Sequence, residues 1–390
     1  MPNSLVIRRA RVVSSWSVVE SGYIVIERGA IVEVGNEPYS GSQCNVIDAE
    51  GLYAVPGFVD THTHGVKGLD VTVSRDPYTI LEMAKQFTRY GVSAFLPTAV
   101  TAPLETLAEV CKAVSEAMDM WRPGEGARVL GLHMEGPYIN PDMAGAQSRA
   151  FIRAPSLSEF KLLYEECRGA LRQVTVAPEV AGAQELIPYA KSLGIVVSAG
   201  HTKASYEEGV KAIELGVTKA THLFNAMTRF SHREPGIALA LLQSPKVFLE
   251  VIADFVHLHP AVVKMVIDLA GPERVALVTD SIAATGMPDG VYALGNLEVV
   301  VKQGVCRLVG TEVLAGSTLT MDKAFRNAVG LGYSLSSVAT MASLTPVKSL
   351  GLGLRIGDIR RGYRADITIL DDELRVVKTI VDGEVAYEHQ

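Results

Sequence analysis

The chain has 390 residues, 48% of them hydrophobic and 20% charged, enough apolar material for one large domain with a smaller one beside it, and too much for a disordered chain. Its formal net charge is −7, so there is no global basic field for nucleic acid or an anionic membrane surface, and an anionic small molecule would have to be held by a few local cations. No run of about 18 apolar residues occurs, which excludes a membrane-spanning helix of the usual kind.

The opening segment, Met1 to Val13, alternates apolar and basic residues and does not read as a secretion signal. From Leu5 to about Val46 the β-formers Val6, Ile24, Val25, Ile26, Ile31, Val32 and Val34 are broken by Gly22, Gly29 and Gly35, which predicts short strands. Ile367–Leu370 and Val376–Val381 carry the same pattern near the other end. Residues 1–53 and 356–390 are therefore expected to meet in one small β-sandwich domain.

The middle, residues 54–355, has a different rhythm. Apolar runs at Val55–His62, Val92–Thr98, Val129–Glu135, Gln173–Ala177, Ile195–His201, Lys219–His222, Val247–Asp254 and Val275–Asp280 are separated by amphipathic stretches such as Pro77–Tyr90 and Ala204–Leu215. Eight βα units over this length predict a (β/α)₈ TIM-type barrel. A doubly wound open sheet is the competing architecture, but no GxGxxG follows the first strand. Leu297–Val301 and Val305–Val309, split by Gly304, predict a hairpin inserted after the last barrel strand. Four cysteines occur, Cys44, Cys111, Cys167 and Cys306, none in a CxxC pair. That speaks against a disulfide scaffold or a zinc ribbon and suits a reducing, cytoplasmic setting.

Chemistry-bearing residues fall at the ends of these strands. PGFVDTHTHG, residues 56–65, places His62 and His64 on one strand face, a half-site for a divalent metal. A pair of hydrogen-bonded core histidines is the plainer alternative. GLHMEGPY, residues 131–138, ends the third strand and adds Glu135, which could bind one metal or bridge two, while His133 reads as a hydrogen-bond partner behind the ligands. His201 follows the fifth strand, His222 ends the sixth, and Asp280 ends the eighth. Four of nine histidines thus fall on the rim where barrel enzymes keep their active sites. A bound divalent ion would lower the pKa of its water from about 15.7 toward about 7, and Asp280 is placed to take that proton and pass it to a departing amine. No Ser, Cys or Lys nucleophile motif competes, so direct attack by water is expected.

At these residues the sequence resembles the amidohydrolase superfamily, and within it the N-acetylglucosamine-6-phosphate deacetylases. PGFVDTHTHG is shared across the superfamily. GLHMEGPY, THLFNAM (221–227), HREPG (232–236) and LAGS (314–317) carry the narrower resemblance, which runs through nearly the whole chain. It implies that Glu135, His201 and His222 hold the main metal, with a second ion beside His62 and His64, and that Asp280 is the acid/base. It implies a sugar-phosphate site built from Ala146, Asn225, Ala226, Arg233, His257 and the loop Leu314, Ala315, Gly316, in a homodimeric, cytoplasmic enzyme. Gln147 stands where some relatives carry histidine near the acetyl carbonyl; its amide can still donate a neutral hydrogen bond there. Zinc is the expected metal, with iron, manganese or cobalt open, since mixed His/carboxylate ligands do not separate them.

Three other readings stay open. The galacto isomer of the sugar phosphate differs at one hydroxyl. A cyclic-amide hydrolase or deaminase would often use a carboxylated lysine as the bridging ligand, and Gln173–Pro178 on the fourth strand offers none. A non-catalytic relative would typically have lost ligands that this chain keeps.

Overall fold

A computed structural model describes residues 4–41, 45–353 and 355–389; Cys44 and the first three residues of the segment Met1 to Val13 lie outside them. The small β-rich domain is a sheet woven from both ends of the chain. Ser4–Val13 pairs antiparallel with Val18–Glu27, which pairs with Ala30–Asn36. Its other edge takes two parallel neighbours in succession, Asn45–Asp48 and then Tyr53–Pro56. Tyr53–Pro56 pairs antiparallel with Ile367–Leu370, followed by Val376–Val381 and Glu384–Glu388. This carries the small sheet three residues past the expected boundary at 53/54. Ile7, Ile24 and Ile26 from one end pack with Ile367, Ile369 and Ile380 from the other in a single apolar core, so neither end can bury its β-branched residues alone.

The barrel strands follow the eight apolar runs. They are Phe58–Thr63, Val92–Ala99, the interrupted third strand Arg128–Val129 and Leu132–Glu135, then Leu171–Val176, Val196–Ala199, Val217–Ala220, Phe248–Ile252 and Val275–Val278. Each pairs parallel with the next. The ring closes between eighth and first: Thr63 and Ser281 bridge in parallel, Asp280 N–H donates to the His62 carbonyl at 2.9 Å, and His64 N–H donates to the Ser281 carbonyl at 2.7 Å. Closure decides for the barrel over an open sheet.

The crossover helices obey local rules. Pro77–Thr88 starts on Asp76, whose side chain accepts from Thr79 N–H, with proline in the first helical position. Ile80, Met83, Ala84 and Phe87, at helical spacing, are buried against the sheet. Tyr206–Leu215 opens with a reciprocal cap between Ser205 and Glu208. The predicted hairpin is present as part of a three-stranded insert, Gly290–Leu294, Leu297–Lys302 and Val305–Leu308.

One expectation is corrected. Cys111, on the helix Leu104–Met120, is joined to Cys167, just after the helix Leu157–Glu166. A bridge between residues 56 apart has no local spacing signal, so the pair was invisible as a motif. Cys306 is free and buried. No helix among the described residues is long and apolar enough to cross a membrane.

Candidate metal centre and substrate cavity

Strand alternation delivers His62 and His64 to the barrel interior, as their spacing requires. His62 is wholly buried; its Nδ1 lies 2.9 Å from Glu250 Oε2. His62 Nε2 has no hydrogen-bond partner, yet sits 3.5 Å from Glu135 Oε1 and 3.3 Å from Asp280 Oδ1. His64 Nδ1 donates to the Thr98 carbonyl at 2.9 Å, which leaves the bare Nε2 lone pair 3.1 Å from Asp280 Oδ1 and 3.3 Å from Glu135 Oε2.

In the second group one histidine is anchored in this way, while His222 Nδ1 has no hydrogen-bond partner. His201 Nδ1 donates to the Met143 carbonyl at 2.8 Å, and its Nε2 lies 3.1 Å from Glu135 Oε1. His222 Nε2 lies 2.9 Å from that oxygen and 3.1 Å from His201 Nε2. Bare imidazole lone pairs crowded against carboxylate oxygens repel unless a cation lies between them. Ligand atoms about 2.0–2.1 Å from a tetrahedral ion sit roughly 3.3 Å apart, close to the spacings seen. His62, His64 and Asp280 form one group, and Glu135, His201 and His222 the other; Glu135 lies between them, Oε1 against His201, His222 and His62 and Oε2 against His64. The donor set fits one or two divalent cations.

Three of these residues are strained. His201, His222 and Asp280 have φ of 48°, 28° and 51°, in the left-handed region that non-glycine residues avoid and that clusters at functional sites. Each follows its strand's end, where the backbone turns to aim a side chain back at the barrel axis.

The electrostatics match. Burial opposes charge on His62, but Glu135, Asp280 and Glu250 outweigh it and hold its pKa well above the usual imidazole value. His64 is likewise raised to about 9, because Asp280 and Glu135 overcome its burial. Burial would raise Glu135 and Asp280, yet the surrounding imidazoles hold both below the usual carboxylate range. The floor is a negative site that demands positive charge. His133 stands apart: burial and the neighbouring His62 push its pKa well down, and it bonds Thr175 Oγ1 at 2.8 Å rather than joining either group.

Above this floor lies a cavity of about 350 Å³. His64, Glu135, His201, His222 and Asp280 line its base, and Ala146, Gln147, Asn225, Ala226, His257, Leu314 and Gly316 its walls. Three expected residues do not line it. His62 lies beneath the base. Ala315 turns away to pack with Val299 and Cys306. Arg233 is exposed on the loop between the sixth strand and the helix Gly236–Gln243 and does not reach the cavity of its own chain. Gln147 also differs from expectation. Its Nε2 donates to Glu135 Oε2 and its Oε1 accepts from Thr101 N–H, both at 2.7 Å, so the amide orients the carboxylate instead of pointing free into the cavity. His257 is held by Asp254 Oδ2, 2.7 Å from its Nδ1, and despite burial that carboxylate raises its pKa.

Sequence reasoning missed Asp142, Met143, Leu294 and Val313 on the cavity walls, and the buried polar residues Gln173, Lys219 and Glu250 below it. The last two did leave a signal: a charge inside the otherwise apolar strands VTKA and FLEVI must face a polar partner.

Residues 53–386 match the amidohydrolase family. The chain is 36% identical to an N-acetylgalactosamine-6-phosphate deacetylase of Escherichia coli O157:H7, over 98% of this chain and 99% of that one. It is 34% identical to an N-acetylglucosamine-6-phosphate deacetylase of Bacillus subtilis (strain 168), over 99% and 98%. Among solved structures, a mutant N-acetyl-D-glucosamine-6-phosphate deacetylase from Mycobacterium smegmatis, in complex with N-acetyl-D-glucosamine-6-phosphate, superposes with a TM-score of 0.92 at 33% identity, covering 98% of this chain and 99% of that one.

Proposed function

The chain belongs to the amidohydrolase family, and from that premise we propose that it removes the acetyl group from N-acetyl-D-glucosamine 6-phosphate, giving D-glucosamine 6-phosphate and acetate. The observation that carries the reading is Glu135, whose carboxylate lies within 3.5 Å of all four histidines His62, His64, His201 and His222 directly under a cavity of about 350 Å³. Near-full-length similarity to deacetylases of such sugars supports the choice of substrate.

Glu135, His201 and His222 would hold one divalent ion, and His62 and His64 a second beside Glu135. Zinc is the proposed metal, with iron, manganese or cobalt as alternatives. Bound there, such an ion supplies Lewis acidity toward an amide carbonyl and toward water. Asp280 lines the cavity and is held ionised by His62 and His64 against its burial. It accepts the proton of the attacking water and returns it to the amine nitrogen as the C–N bond breaks. Asn225 and the backbone N–H of Ala226 offer donors to the sugar phosphate, and His257, raised by Asp254, offers a positive charge. Arg233 supplies a permanent forked cation from a neighbouring subunit of a homodimer, since it does not reach its own cavity. The proposed place of action is the cytoplasm.

Acetate release from a panel of N-acetylhexosamines and their 6-phosphates tests this. The gluco 6-phosphate should be turned over fastest and the unphosphorylated sugars slowly. Similarity at 36% to a galactosamine enzyme supports a second reading, in which the galacto 6-phosphate leads the panel. Silence on every phosphorylated amino sugar would defeat both.

A further inference from the structure

Below the cavity base lies a polar cluster that the proposed reaction does not use. Gln173 on the fourth strand, Lys219 on the sixth and Glu250 on the seventh are all wholly buried. Lys219 Nζ lies 2.8 Å from Glu250 Oε1 and donates to Gln173 Oε1 and Thr61 Oγ1, both at 2.9 Å. Gln173 Nε2 donates to the same Glu250 oxygen at 3.0 Å. The other oxygen, Oε2, takes His62 Nδ1 at 2.9 Å and the backbone N–H of His222 at 3.3 Å.

A buried ion pair adds little net stability, because desolvating two charges offsets their attraction, and apolar residues of similar volume would often serve as well. Saturation of the pair has a different consequence. Four donors on two oxygens leave the Glu250 carboxylate a single orientation. That orientation sets the proton of His62 on Nδ1 and aims the bare Nε2 between Glu135 and Asp280. We propose that the Lys219–Glu250 pair is a positioning device for the metal centre, fixing His62 in the tautomer and angle that complete the group His62, His64 and Asp280.

The proposal rests on the metal reading above, and its test is metal binding rather than turnover. Native protein loaded with zinc should hold two ions per chain, separable in a chelator titration. In Glu250→Gln the amide must turn its NH₂ toward a pair of donors whichever way it faces, Lys219 with Gln173 or His62 with His222. One ion should then be lost, with affinity at that site lowered about 10- to 100-fold, the usual effect of removing a partner behind a ligand. The ion held by Glu135, His201 and His222 should keep its affinity within a few-fold. Because the single variant leaves Lys219 buried and unpaired, the double variant Lys219→Met/Glu250→Leu, which removes both charges and every acceptor at position 250, should show the same selective loss. Manganese-loaded native protein should show spin coupling between neighbouring ions that both variants lack. Two ions at native affinity in the double variant, or parallel weakening of both sites with a lowered Tm, would overturn the proposal. A native chain that binds only one ion also overturns it, while acetate release by that chain would leave the deacetylase reading standing.

Discussion

At the base of the cavity four side chains of the proposed metal centre are held at a second polar atom, His62 by Glu250, His64 by the Thr98 carbonyl, His201 by the Met143 carbonyl and Glu135 by Gln147, while His222 Nδ1 has no partner. At the rim, Arg233 sits on an exposed loop and makes no ion pair among the described residues, and Leu314 and Gly316 arrive on a segment after the three-stranded insert. Most of the base is thus organised by the chain's own hydrogen bonds, whereas Arg233 at the rim has no such anchor among the described residues. Preorganised dipoles supply transition-state stabilisation without reorganisation, so the base should govern kcat and the rim should govern which substrate is accepted.

The sharpest way to break this division is Asp280→Asn. The amide keeps the shape but accepts no proton, so kcat should fall about 10²–10⁴-fold with KM nearly unchanged. A variant that loses affinity and keeps its turnover would move Asp280 from the base to the rim. Next in size is Arg233→Ala, for which kcat/KM on the 6-phosphate should drop roughly ten- to a hundred-fold, the worth of one charge-assisted hydrogen bond. The unphosphorylated sugar should hardly notice, and Arg233→Lys should recover only part of the loss. Equal losses on both sugars would mean that this loop supports the fold or the dimer instead.

Gly316 lies where base and rim meet. Its φ is 56°, and a Cβ there would come within 2.4 Å of Ile282 Cγ2 and 3.0 Å of the Asp280 carbonyl oxygen. Gly316→Ala should therefore cost about 1–3 kcal/mol of stability and lower kcat as Asp280 shifts; unaltered melting and turnover would show that the loop yields freely. The smallest effect is expected at the Asp254–His257 contact. His257 keeps its proton in the folded chain above the ordinary value of about 6.5, where the unfolded chain has released it. The stability so gained is complete below that pH and is lost as pH rises through the folded value. Asp254→Asn should accordingly lower the melting temperature more at pH 6 than at pH 9, by about 2 °C. The same deficit at both would mean that the imidazole is neutral in the fold.

The contrast also explains what could be read in advance. The eight strands, and the convergence of the candidate ligands His62, His64, Glu135, His201 and His222 with Asp280, were legible because each of these residues lies in or within two residues of an apolar run, where alternation and strand ends dictate direction. Ala315 was assigned to the wall but packs against the insert, and Gln147, though it lines the wall, gives its amide to Glu135 and Thr101, since loop residues obey no such period. Lys219 and Glu250 went unread for another reason: a lone charge in a strand names no partner until the barrel closes and brings side chains of the sixth and seventh strands within reach of Thr61 and His62 on the first. The Cys111–Cys167 bond depends likewise on two helices lying side by side.

The weave of the small domain reaches further than its own core. Pro56 pairs with Ile367, and Gly57 N–H donates to the Asp366 carbonyl at 2.8 Å, immediately before the strand that carries His62 and His64. The first ligands to be synthesised are therefore braced by some of the last residues of the chain. Those residues follow the whole barrel in chain order, so the first strand gains this brace only once every barrel strand has been made. A cut just ahead of Ile367 would remove no ligand and touch no wall of the cavity, yet it would leave the first strand without its anchor.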